Sequence, residues 1–237
     1  PTSPSVLTLS MRLISALASS LLFVPIVLAE YDPEKHQPRS FNFPWAGASL
    51  GGNEGGYATV IGNFPVPLAW GDNSPGVAIT VGIGMQCPDS NISFTVGIDV
   101  LSTKNYPVSY AGEFDIGTGD FMRASVTVYS ATNGSALLEN LSTGGIWWQS
   151  FTAEEHAVCQ QSAEWAVTAL ADYSTNLSVM PVPKFSTVTF VNATAQTASG
   201  ASAMAGGANI TNIKFNSTML TTAMAAENVV VVAREMY

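Results

Sequence analysis

Positive charge is scarce in this sequence: eight Lys and Arg stand against seventeen Asp and Glu in 237 residues, a net charge of −9, with only 11% of residues charged. That balance repels phosphate backbones and anionic lipid, which sets nucleic acid aside as a partner. Histidine is scarcer still. His36 and His156 are the only two, so a Ser-His-Asp triad would rest on His156, and no Gly-x-Ser-x-Gly elbow accompanies it. No His-x-x-x-His spacing occurs, and cysteine is limited to Cys87 and Cys159. Zinc chemistry therefore lacks its ligands, and no metal or other cofactor is expected. The glycine-rich run Gly51-Gly52-Asn53-Glu54-Gly55-Gly56 precedes a strand pattern instead of opening a helix after one, which is the wrong order for a phosphate cradle.

What is present points to export. Met11-Arg12 is followed by an apolar run over residues 13–28 that closes on Val27-Leu28-Ala29 before Glu30. A basic start, an apolar middle and a small final residue make residues 11–29 a signal peptide, cleaved after Ala29. The run is short for a transmembrane anchor and meets Glu30, Asp32 and Pro33 at once. Residues 1–10 precede the natural-looking start at Met11 and read as an upstream extension. After cleavage no membrane association is expected, and the product is expected to be an extracellular monomer. In that oxidising compartment Cys87 and Cys159 form an even pair, read as one disulfide. Seven Asn-x-Ser/Thr sequons agree with export: Asn91, Asn133, Asn140, Asn176, Asn192, Asn209 and Asn216. The acidic balance also keeps the chain closer to neutral in acid than at pH 7, which suits an acidic working environment.

Residues 30–43 are polar and Pro-containing without apolar period, an N-terminal arm or short pro-segment. Residues 44–237 read as one all-β domain. Candidate strands cover residues 57–66, 76–85, 92–101, 121–131, 135–141, 146–152, 163–170, 187–195, 209–215 and 228–234, with turn signals between them. Many short strands without helical periods mean an antiparallel sandwich or barrel. Residues 196–208, rich in Ala, Ser, Gly and Met, read as a mobile surface loop with room for a short helix.

With histidine and metal chemistry set aside, carboxylates on strands remain. In residues 162–168 the two-residue period sends Ala163, Trp165 and Val167 to one face and Ser162, Glu164, Ala166 and Thr168 to the other. Trp165 is thus a core candidate. Glu164 is a lone acid beside Cys159, either a solvated outer-face residue or a functional base. Trp147-Trp148 must place one indole inward and one outward.

The segment Cys159-Gln160-Gln161-Ser162-Ala163-Glu164-Trp165 resembles the Cys-x-x-x-Ala-Glu-Trp stretch of the fungal glutamic peptidases, the eqolisins. Further stretches are similar to that family in the same order: Trp45-Ala46-Gly47-Ala48, Val81-Gly82-Ile83 with Cys87 just after, Val96-Gly97-Ile98-Asp99, Tyr129-Ser130-Ala131, the run from Glu139 to Gly144 and the run from Phe185 to Ala193. The resemblance implies a two-sheet antiparallel sandwich of the concanavalin A-like kind with a substrate cleft on its concave sheet. It implies metal-free hydrolysis of a polypeptide substrate in acid. In such chemistry a glutamate, here Glu164, activates water as general base and a glutamine amide on a neighbouring strand binds the oxyanion. Trp45 then walls the cleft or packs in the core, and Tyr106 stands where the family lines its cleft. Asp99 supports the site or ends a solvated strand.

This sequence departs from the family pattern near the site. Thr95 occupies the glutamine position, and Ser93, Thr95, Gly97 and Asp99 share one strand face. A threonine hydroxyl can donate one hydrogen bond but is shorter than the amide. The family's Trp-x-Gly-Ile-Asp becomes Thr80-Val81-Gly82-Ile83-Gly84, and the stretch between Asp99 and Tyr106 is shortened. As substitutes for the glutamine, Gln160 shares the face of Glu164 at a distance, Gln86 sits beside Cys87, and Gln149 has no assigned facing. The leading expectation is a secreted acid endopeptidase of reduced activity. The alternative is a non-catalytic family member that binds peptide or glycan in the same cleft.

Overall fold

The computed structural model describes residues 45–51, 56–71, 76–84, 93–101, 109–110, 114–152, 157–170, 182–215 and 217–235. Thirteen strands build its two principal antiparallel sheets. In chain order they are β1 (Trp45–Gly51), β2 (Tyr57–Pro65), β3 (Gly76–Ile83), β4 (Phe94–Leu101), β5 (Phe121–Ser130), β6 (Asn133–Asn140), β7 (Ile146–Thr152), β8 (Ser162–Ala169), β9 (Val188–Thr197), β10 (Ser202–Met204), β11 (Asn209–Thr211), β12 (Thr221–Ala226) and β13 (Val229–Arg234). The first sheet runs β11-β1-β8-β3-β4. The second runs β7-β6-β5-β2-β9-β13-β12, with β10 paired to β9.

Side-chain alternation explains the layering. Along β5 buried and half-buried positions alternate without a break from Phe121 to Val128, so one face meets the core and the other faces outward. The first sheet sends Ala46, Ala48, Val77, Ile79, Val81, Val96, Ile98, Ala163, Trp165 and Val167 into the same core, all at most 1% exposed. Trp165 lies between the sheets as its phase requires. Its indole N–H donates to the Ile61 carbonyl at 2.8 Å, and Gly62 beneath it leaves the room, since a Cβ there would stand 2.8 Å from the Trp165 ring. Phe64 and Phe190 meet edge to face at 5.4 Å. Trp147 packs against the core while Trp148 is exposed, the division that consecutive strand positions demand.

Three expectations need correction. Residues 45–51 form a strand that their Gly, Ala and Ser content disguises. That strand lies inside the first sheet, and its small residues are required there: a Cβ on Gly47 would fall 2.0 Å from the Trp165 carbonyl oxygen. Residues 196–208 are not a loose loop. β9 continues to Thr197, β10 folds back onto it, and a 3-10 turn over Ala205–Gly207 buries Ala205. The strand expected over residues 209–215 divides. β11 joins the first sheet and Lys214–Phe215 pairs with Thr218–Met219, because Ile213 turns inward, is buried, and donates its N–H to Thr221 Oγ1 at 2.8 Å. The expectations for residues 1–43, including His36, lie outside the described residues. No helix among the described residues is long and apolar enough to cross a membrane.

Candidate active site

Register in the first sheet fixes what lies beside Glu164. β8 pairs Glu164 with Ser49 on β1 and with Gly82 on β3; β3 in turn pairs Gly82 with Thr95 on β4, and β1 pairs Ser49 with Asn209 on β11. Directly opposed residues project from the same face, so Asn209, Ser49, Glu164, Gly82 and Thr95 form one row on the face turned away from the core. Thr95 stands two strand spacings, about 10 Å, from Glu164. The strand between them contributes only glycine, so no side chain of that row stands between the carboxyl and the hydroxyl.

The solvated outer-face alternative for Glu164 fails, because its side chain is wholly shielded from solvent. Ser49 and Thr95 on the same row are also buried. Tyr57, at the start of β2, is buried too, and its hydroxyl donates to the Gly51 carbonyl at 3.3 Å. Burial raises the pKa of this phenol and the charge of Glu164 raises it further, so a neutral Tyr57 lies within the electrostatic reach of the carboxylate. Sequence reasoning did not single out Tyr57. The one local signal was an aromatic directly after the glycine-rich run.

The next rows of this face are Thr211, Gly47, Ala166, Thr80 and Gly97, then Trp45, Thr168, Ala78 and Asp99. Trp45 is half-buried on the Glu164 face, which rules out the core reading. Asp99 does not adjoin the Glu164–Thr95 row. It lies four residues from Thr95, about 13 Å along the strand, too far to hydrogen-bond to either residue. Its surroundings desolvate it, and burial lifts its carboxyl from 3.8 to about 7.

The substitute glutamines lie elsewhere. Gln160 falls in the turn before β8, not on the strand face expected for it, and its amide donates to the Tyr57 carbonyl at 3.1 Å. Gln149 is exposed on β7, at the edge of the second sheet. Gln86, Tyr106, His156 and Cys87 lie outside the described residues. Cys159 is not a free thiol.

Of the seven sequon asparagines, Asn133, Asn192 and Asn209 are exposed, and Asn91, Asn176 and Asn216 lie outside the described residues. Asn140 must be withdrawn as a glycan acceptor. Its side chain is 1% exposed, and its amide donates to Asp120 Oδ2 at 2.7 Å and to the Asp115 carbonyl at 3.2 Å. Its side-chain carbonyl accepts the N–H groups of Ser142 and Thr143. The residue is a buried turn-former.

The sandwich has relatives among known proteins. The sequence pattern of the peptidase A4 family matches residues 44–234. The chain is 30% identical over 221 residues to aspergillopepsin-2 of Aspergillus niger, covering 79% of this chain and 76% of that protein. It is 31% identical over 186 residues to scytalidopepsin B of Scytalidium lignicola, covering 73% and 70%. In three dimensions it is similar to scytalido-glutamic peptidase crystallised with a transition state analog inhibitor, with a TM-score of 0.72, 27% identity, and coverage of 82% of this chain and 99% of that one. A sandwich with one acid-bearing sheet face and a family match across nearly all of that sandwich lead to one assignment: the chain belongs to the peptidase A4 family, the eqolisins.

Proposed function

We propose that this protein is a secreted acid endopeptidase that hydrolyses polypeptides with Glu164 as general base. The observation that carries the reading is the row Glu164–Gly82–Thr95, in which the strand between an acid and a hydroxyl contributes only a glycine. Glu164 takes a proton from water as the oxygen attacks the carbonyl carbon. It then returns that proton to the departing amine. The Thr95 hydroxyl donates to the oxyanion in place of a longer amide, and loss of one good oxyanion donor typically costs about 10²–10³ in kcat. Turnover is therefore slow, and substrate must displace whatever shields Glu164.

Export accompanies this reading, with a Cys87–Cys159 disulfide and glycans on exposed sequons such as Asn133, Asn192 and Asn209. The test is digestion of casein at acidic pH. Cleavage that resists pepstatin-type inhibitors and chelators supports the reading, and cleavage abolished by either class of reagent defeats it.

A second reading, a non-catalytic binder of peptide or glycan, draws on the threonine at position 95 and the complete shielding of Glu164. Tight binding of an unfolded polypeptide without turnover over hours would favour it over the first.

A further inference from the structure

Two polar groups on the Glu164 face take no part in the chemistry above, and neither has a hydrogen-bond partner among the described residues. Thr80 Oγ1 is buried and makes no hydrogen bond among the described residues. Asp99 is half-buried, and no described residue gives it a hydrogen bond or an ion pair. They are neighbours. Thr80 pairs with Gly97, and Asp99 lies two residues further along the same face of β4, a diagonal separation of about 7–8 Å. Their described neighbours along β3 and β4 on that face are small: Gly97 has no side chain and Ala78, directly opposite Asp99, has only a methyl group. Gly97 cannot be larger, since a Cβ there would fall 2.0 Å from the Ile79 carbonyl oxygen and 2.7 Å from Thr80 Cγ2.

A buried hydroxyl and a desolvated carboxyl side by side cost stability unless something satisfies them. A group that engages both at once must bring N–H donors to two oxygen acceptors. Positive charge offsets the desolvated acid as well. Guanidinium and ammonium groups meet both requirements, and near pH 7 a chain with a net charge of −9 attracts them over longer range.

We propose that Thr80 and Asp99 form a side-chain subsite that takes a basic residue, arginine or lysine, of a bound polypeptide. The proposal rests on the reading of this face as a polypeptide-binding cleft. It assigns Asp99 to recognition of substrate instead of support for Glu164. The offset of about 13 Å from the Thr95 row, less the reach of a long side chain, puts the basic residue about two to four positions from the bond cleaved.

The test is a set of paired peptides that differ only in carrying arginine or norleucine at each position in turn. Each is followed, as a fluorescent conjugate, by equilibrium binding at pH 8, where Asp99 is ionised, and by cleavage in acid. One position should favour arginine by about tenfold or more in Kd at pH 8. That ratio should fall to about one in Asp99→Asn and drop severalfold in Thr80→Val, which also decides the matter if Asp99→Asn does not fold. No arginine preference at any position, or a preference that survives both substitutions, overturns the subsite. If no peptide is cleaved, the hydrolase reading fails by itself. The binding ratio then still decides, with tenfold tighter arginine peptides supporting the subsite and equal affinities refuting it.

Discussion

Replacing Asp99 with asparagine keeps the shape of the side chain and removes its proton equilibrium. In the folded protein burial lifts this carboxyl from 3.8 to about 7, while the unfolded chain titrates near the ordinary value. Between about pH 4 and 7 the folded state therefore holds a proton that the unfolded state has released. The stabilisation is fully present below about pH 4 and is lost as the pH rises through about 7. A shift of this size corresponds to at most about 4 kcal/mol, and partial exposure of the side chain to solvent reduces that to about 2–3 kcal/mol. Urea unfolding of both proteins from pH 4 to 8 at constant ionic strength isolates the effect, because titrations shared by the two proteins cancel in the difference. Asp99→Asn should gain about 2–3 kcal/mol on the parent between pH 4 and 8. A difference between the two that stays constant across this range would refute the assignment of a buried, uncompensated acid.

Other outcomes follow from the same geometry. Thr95→Gln, which supplies the longer amide donor two strands from Glu164, should raise kcat toward peptides by about 10²-fold; steady-state kinetics in acid will read it. Gly97→Ala should destabilise the fold by about 3 kcal/mol, because the added Cβ meets the Ile79 carbonyl oxygen, which the ladder holds in place; urea unfolding will show it. Glycopeptide mapping of protein from a eukaryotic host should find Asn140 unmodified, since its amide is committed inside the turn, with modification confined to other sequons.

The second sheet was largely legible in the sequence. Strict alternation from Phe121 to Val128 announces β5, and β7 runs over residues 146–152 as expected. β1 and β12 were not foreseen, because Trp-Ala-Gly-Ala-Ser-Leu-Gly and Thr-Thr-Ala-Met-Ala-Ala are poor in β-branched and aromatic residues. Their strand state comes from neighbours distant in sequence, as the contact between Gly47 and the Trp165 carbonyl illustrates. At the site, the two-residue period placed Glu164 and Thr95 on definite strand faces, but it could not say that they share a row. That alignment is a matter of register among β8, β3 and β4, which local sequence does not encode. Asp99, linked to the pair by the family resemblance, lies two rows away from it on the same face. Periodicity was equally silent on the complete burial of Glu164, because it reports a face and not what covers that face.

Glu164→Gln keeps the size of the side chain and removes its capacity to accept a proton from water. Rates of casein hydrolysis in acid by this variant and its parent, purified identically and matched for folded fraction, bear most directly on the proposed role of Glu164. The parent should cleave measurably and the variant at least about 10²-fold more slowly. Equal rates from the two proteins would contradict that role.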